Sequence, residues 1–227
     1  MKKIGHLIIG FIIGAALASS VFIILPLFYP NVCATRYCHT IIIDGVNDFN
    51  NNEHFTTSST GYDGYIAWDC YYIYFGLHGP DFAATDANKW VLIYIGNGGS
   101  GTTAGQLYGT QGPTLPFYAT HYIRWRLDDF EFKAFEWTGS WTDASWDVSG
   151  DAYRNSTLEF FEMRVPIVDL GSPSNVLAHV SMIDEFGNWT YSGVPSTSFT
   201  DGNDPDYTKF FLFDLDGTSA PANYIPI

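Results

Sequence analysis

The chain has 227 residues, a formal net charge of −14 and 18% aromatic residues. Acidity of that size repels phosphate backbones and excludes nucleic acid as a natural partner, while it suits an exported surface protein and offers oxygen ligands to divalent cations. Once an apolar leader is set aside about 190 residues remain, enough for one domain with a substantial core and too few for two.

Lys2 and Lys3 precede residues 4–28, which carry no charged side chain apart from His6 if it is protonated. Roughly 25 mostly apolar residues in a row predict an N-terminal hydrophobic helix long enough to span a bilayer. The cationic flank predicts that the N-terminus stays inside and that the rest of the chain is exported. An uncleaved anchor is one reading. The other is a signal peptide cut after Ala16-Leu17-Ala18, which leaves the apolar Val21-Phe22-Ile23-Ile24-Leu25 on the mature chain. Either places the protein at the cell surface, membrane-anchored or secreted. Residues 29–38 form a short stalk with a cysteine pair, and residues 39–227 form the folded domain.

In chain order, β-rich runs bounded by Gly, Asn, Asp, Ser and Pro predict strands over 40–43, 64–68, 71–77, 89–95, 120–127, 130–137, 158–166, 177–185 and 209–215. Short strands with turn signals between them give an all-β chain: an antiparallel two-sheet β-sandwich of the jelly-roll or immunoglobulin-like kind. In Lys89-Trp90-Val91-Leu92-Ile93-Tyr94-Ile95 both faces are apolar, which predicts a central strand. The clearest hairpin runs through residues 122–137 and turns at Asp128-Asp129. Alternation puts Ile123, Trp125 and Leu127 on one face and Arg124 and Arg126 on the other, with Glu131 and Lys133 available for cross-strand charge pairs. Between Gly96 and Thr114 the chain is rich in Gly and Thr without apolar periodicity, which predicts a long surface loop of the kind that carries binding.

Two segments carry a resemblance. Ile41-Ile42-Ile43-Asp44-Gly45, followed by Tyr65-Ile66-Ala67-Trp68-Asp69 and a Tyr-rich strand, resembles the opening of family 9 carbohydrate-binding modules and DOMON-like sandwiches. Leu158-Glu159-Phe160-Phe161-Glu162-Met163-Arg164-Val165-Pro166 is similar to a late strand of the same superfamily. The resemblance spans roughly residues 40–216 and implies a sandwich that binds sugar on aromatic rings, with calcium near the sandwich edge.

Candidate ligand contacts are Trp137, Trp141 and Trp146, which crowd one polar turn region, and Trp189 with Tyr191 beside Asn188. Sugars stack C–H faces on such rings and bond their hydroxyls to neighbouring amides and carboxylates. The bland alternative is that these rings cap the sandwich ends. Calcium ligands are expected from Asp201, Asn203, Asp204 and Asp206 in one tight turn, with Asp214 and Asp216 one strand later, and the resemblance adds Asp44 and Asp48. A solvated Asx-rich turn explains the first cluster equally.

Cys33, Cys38 and His39 form an expanded version of the c-type haem attachment spacing. Some DOMON-like domains hold haem b, so an exported electron carrier with haem c is one reading, with His54, His78, His121, His179, Met163 or Met182 as the second axial ligand. A disulfide between Cys33 and Cys38, or from either to Cys70, is the other. No Gly-x-Ser-x-Gly, zinc-protease His pair or phosphate-cradling loop occurs, and Glu159 and Glu162 fall on opposite faces of a strand, so a binding protein is expected rather than an enzyme. The leading expectation is a surface carbohydrate-binding module. The runner-up is a structural or adhesive surface protein without a small ligand. Asn155-Ser156-Thr157 and Asn188-Trp189-Thr190 are glycosylation sequons consistent with export.

Overall fold

The alternating segments become strands wherever a second layer covers one of their faces. A computed structural model describes residues 35–129, 131–146 and 150–227. The leader, Cys33 and most of the stalk lie outside the described residues, among which no helix is long and apolar enough to cross a membrane. A compact unit spans Arg36–Ile227. Its strands are β1 His54–Thr56, β2 Asp63–Trp68, β3 Tyr72–His78, β4 Lys89–Gly96, β5 Thr102–Ala104, β6 Thr114–Ala119, β7 His121–Arg126, β8 Phe132–Trp137, β9 Trp141–Asp143, β10 Ala152–Asn155, β11 Phe160–Pro166, β12 Asn175–Asp184, β13 Trp189–Val194 and β14 Phe211–Asp214.

The strands pair antiparallel in two large sheets, one in the order β1-β2-β3-β11-β10 and one in the order β13-β12-β4-β7-β8-β9, with β14 also on β12 and a separate β5-β6 ribbon. Both large sheets feed one apolar cluster: Ile66, Trp68 and Phe75 come from the first, and Val91, Ile93, Trp125, Met182 and Phe213 from the second. Inside it Trp125 stacks on Phe161 at 4.2 Å and Phe82 lies parallel to Phe161 at 6.0 Å. Such ring pairs add about 0.5–1.5 kcal/mol each beyond their buried area.

β4 is central, and it is covered on both faces. Val91, Ile93 and Ile95 enter the shared cluster, while Trp90, Leu92 and Tyr94 enter a second one with Tyr108, Leu115, Phe117 and Tyr207. This corrects the reading of 96–114 as an open loop. That segment holds β5 and buries Tyr108 and Gln111, because the outer face of β4 is too apolar to leave wet.

The segment 40–43 is not a strand; β1 begins only at His54. Ile41 is buried against Ala67 and Tyr74, so its apolar character serves packing of an irregular segment rather than a ladder. That segment is tied down by polar groups. Buried Glu53 accepts the Tyr37 hydroxyl at 2.5 Å, contacts His39 Nδ1 at 2.9 Å and accepts the Asn50 amide at 2.6 Å.

The Trp-Asp turn between β2 and β3 has a mechanical reason. Asp69 Oδ1 accepts the amides of Tyr71 and Tyr72 at 2.7 and 2.8 Å, while Oδ2 accepts the Tyr74 and Thr40 hydroxyls at 2.7 and 2.9 Å. One carboxylate therefore closes the hairpin and pins the chain's opening to it. The β7–β8 hairpin matches its expected faces: Ile123, Trp125 and Leu127 are in the core, and Arg124 pairs with Glu131 beneath the rings of Trp90, Tyr108 and Phe135.

Candidate functional site

The β12–β13 hairpin, the β1–β2 loop and the turn after β3 enclose an open cleft of about 460 Å³. Asp184 and Trp189 are cross-strand partners that flank the hairpin turn. Asp184 Oδ1 accepts the Gly187 amide at 2.6 Å, and a Cβ at Gly187 would lie 2.7 Å from the Asp184 carboxyl carbon, so only glycine lets the carboxylate fold over the turn. Trp189 is 48% exposed on the rim, whereas Tyr191 is buried below it.

The facing wall is built on Asp81. Its Oδ1 takes Lys89 Nζ at 2.5 Å, and its Oδ2 takes the hydroxyls of Tyr62 and Tyr191 at 2.6 and 2.7 Å. Burial by itself raises the carboxyl's pKa, but the bonds from Lys89, Tyr62 and Tyr191 outweigh it and hold the group below the usual carboxylate range. On the third side Asp201 accepts the hydroxyls of Ser58 and Ser59 at 2.5 and 2.6 Å. Those same hydroxyls accept the β13 amides of Gly193 and Ser192 at 2.7 and 2.8 Å, which ties the β1–β2 loop to β13. The cleft thus offers one exposed aromatic face, carboxylate acceptors already fixed in position, and the remaining ammonium donors of Lys89.

The structure brings Trp189, Tyr191 and Asp201 together and keeps Trp137, Trp141 and Trp146 apart from them. Trp137 and Trp141 face each other across the β8–β9 turn, edge to face at 5.4 Å. Trp141 also packs edge-on to Tyr122 and donates its indole N–H to the Ala104 carbonyl at 3.2 Å. Trp146 is partly buried against the core.

The two acidic loops differ in how their oxygens are used. In the 201–206 turn Asp201 is engaged as above, Asp204 Oδ1 accepts the Gly112 amide at 2.6 Å and Asp206 Oδ1 accepts the Thr114 amide at 2.9 Å. The Asn203 amide group donates to the Asn188 carbonyl at 3.0 Å. These groups staple loops together, which is a poor fit to a calcium cage. Downstream, Asp216 pairs with Arg36 and Asp214 caps the Asp216 amide.

The 44–48 loop fits a cation better. The Asp44 and Gly45 amides both donate to Glu162 Oε1, at 2.6 and 2.5 Å, while Asp44 Oδ1 and Asp48 Oδ2 accept the Val46 and Ile42 amides. Glu162 Oε2 and Asp48 Oδ1 are buried without a hydrogen-bond partner among the described residues. Burial, and the charges of Asp48 and Asp44 beyond the opposing pull of the two amides, push the Glu162 carboxyl up to about 7. Among the described residues no three His, Cys, Asp or Glu side chains converge as a metal-binding group, so a calcium ion here would take its remaining oxygens from the backbone and water.

Cys38 is a free, exposed thiol, and Cys70 is the described cysteine that sits in a disulfide. Of the alternatives, the Cys33–Cys38 and Cys38–Cys70 bridges are thereby corrected, and the remaining one, Cys33–Cys70, involves a residue outside those described. Of the haem-attachment set, Cys33 lies outside the described residues and His39 Nδ1 is engaged by Glu53. His179 and Ser198 form a side-chain pair at 3.0 Å, but both are buried and closed to substrate.

Sequence reasoning missed Asp81, Lys89, Asp184, Tyr62 and Ser59 because they come from separate loops with no shared spacing. Glu162 was in view, but its partners lie more than a hundred residues upstream. No protein-family model, curated protein or solved structure matches the chain.

Proposed function

We propose that the chain is an exported two-sheet β-sandwich module that binds carbohydrate at the cell surface through the Asp81–Asp184–Trp189 cleft. The observation that supports this most is the exposed Trp189 ring on the rim of a concave surface whose other walls are fixed carboxylates and Lys89. A pyranose lays its C–H face on the indole and directs its hydroxyls to Asp184, Asp201 and Lys89. Tyr191 and Tyr62 hold Asp81 in place, so the wall is organised before ligand arrives and little ordering is lost on binding. Calcium, when bound, belongs to the 44–48 loop, where Asp48 and Glu162 would hold it. It would neutralise carboxylates that otherwise repel one another and fix the chain's opening segment to β11.

A panel of neutral oligosaccharides titrated by calorimetry and tryptophan fluorescence tests the reading. Binding by the wild type that weakens about tenfold or more in Trp189→Ala, with thermal stability unchanged, supports it. Binding that survives Trp189→Ala but is lost in Trp141→Ala moves the site to the β8–β9 hairpin. No binding to any sugar leaves the adhesive, ligand-free role as the better account.

A further inference from the structure

We propose that Asn155 is the N-glycan acceptor of this chain and that Asn188, which heads an equally good sequon, is not. The inference rests on export of the chain and is independent of whether the cleft binds sugar. In the reaction the Asn side-chain nitrogen attacks the anomeric carbon of a polyprenyl-linked oligosaccharide phosphate. The bond from that carbon to the phosphate oxygen breaks, the lipid phosphate leaves with the electron pair, and one amide proton is lost to base. The transferase must reach both the Asn nitrogen and the hydroxyl two residues on, which is why the sequon requires Ser or Thr there.

Asn155 ends β10 and opens the tip that leads to β11. Its Oδ1 accepts the amides of Thr157 and Leu158 at 3.1 and 3.2 Å, so the oxygen is used locally while the side-chain nitrogen makes no hydrogen bond among the described residues. Ser156 and Thr157 are both exposed, and the Thr157 hydroxyl makes no hydrogen bond among the described residues. β10 is a sheet edge with no strand beyond it, and the Gly45 turn packs against the Asn155 Cβ.

Asn188 is held through its oxygens, and its sequon differs from that of Asn155 chiefly at the required hydroxyl. Its Oδ1 accepts the Thr110 hydroxyl at 2.9 Å and its carbonyl accepts the Asn203 amide at 3.0 Å. Gly109 approaches so closely that a Cβ there would stand 3.1 Å from Asn188 Oδ1. Thr190, the residue whose hydroxyl the transferase needs, is 0% exposed and donates that hydroxyl to Gln111 Oε1 at 3.0 Å. Presenting this sequon requires the β12–β13 hairpin to open, whereas the Asn155 tip is presented by the folded chain.

The test is peptide mapping and intact mass of the full chain exported by a host with N-glycosylation, before and after enzymatic removal of N-glycans. One glycan on Asn155 is expected. Thr157→Ala, which leaves Asn155 in place, removes it entirely, and Asn188→Gln leaves the glycan mass unchanged. A glycan on Asn188, or an exported wild-type chain that carries none, overturns the proposal. Mapping the wild type gives the answer even where a variant fails to fold.

Discussion

The 201–206 turn and the 44–48 loop are similarly rich in acidic residues, yet they solve opposite problems. In the first, each carboxylate meets protein donors: Ser58 and Ser59 at Asp201, Gly112 at Asp204 and Thr114 at Asp206. In the second, Glu162 Oε2 and Asp48 Oδ1 are buried with no donor among the described residues, and burial, with the charges of Asp48 and Asp44 beside it, raises the Glu162 pKa. Clustering of Asp in the sequence therefore does not mark a cation site. What distinguishes the two loops is the acceptor capacity left over after the protein's own donors are counted.

The largest way to break the comparison is Glu162→Ala. It strands the Asp44 and Gly45 amides and leaves a cavity beside β11, and we expect a loss of about 3–4 kcal/mol in urea unfolding. Glu162→Gln keeps an acceptor for those amides and removes the charge, so it is expected to match the wild type near pH 5 and to be more stable than it at pH 7.5. A loss in Gln as large as in Ala would show that the negative charge itself, and not the acceptor, holds the loop.

A smaller effect follows from pH. The Glu162 carboxyl has a folded-state value of about 7 against an ordinary 4.5, so the folded chain binds this proton more tightly than the unfolded chain does. Its contribution to stability is fully present below about 4.5 and is lost as pH rises through 7. Comparing unfolding free energies at pH 5 and 7.5 should show up to about 2 kcal/mol of extra stability at the lower pH in wild type relative to Glu162→Gln. Calcium sharpens the same contrast: added at pH 7.5 it should raise the wild-type melting temperature and leave Glu162→Gln unmoved. An equal calcium response in both chains would remove Glu162 from the site.

The sequence made the parts of this molecule governed by local alternation legible. The β7–β8 hairpin and the doubly apolar β4 follow from side-chain period alone, because cross-strand neighbours there are near in the chain. β13 was not legible: Trp189-Thr190-Tyr191-Ser192-Gly193 reads as a polar patch, yet Thr190 is buried with its hydroxyl on Gln111, and Ser192 is buried with its amide on Ser59 and its hydroxyl without a partner among the described residues. The Ile-Asp-Gly opening was read as the end of a strand. Its amides instead seek a carboxylate on β11, a pairing that no spacing rule near residue 44 encodes. The candidate cleft lay in the same blind spot, since Trp189 and Asp201 were visible singly and Asp81 and Lys89 acquire meaning only from the wall they share.

The smallest expected effect belongs to the satisfied loop. Asp201→Ala removes the acceptor of two serine hydroxyls, but each hydroxyl keeps the β13 amide it already accepts and the residue lies near solvent. The cost should be about 1–2 kcal/mol, with Asp201→Asn recovering roughly half. Because Asp201 acts as a staple, its removal should leave the calcium-dependent shift and the pH slope of the chain untouched while loosening β13. Hydrogen exchange at the Ser192 and Gly193 amides reads that loosening directly. If Asp201→Ala abolished a calcium response instead, the two acidic loops would have exchanged roles: the counted donors at Asp201 would be yielding to a metal, and the unpartnered oxygens of Glu162 and Asp48 would be satisfied by a proton alone.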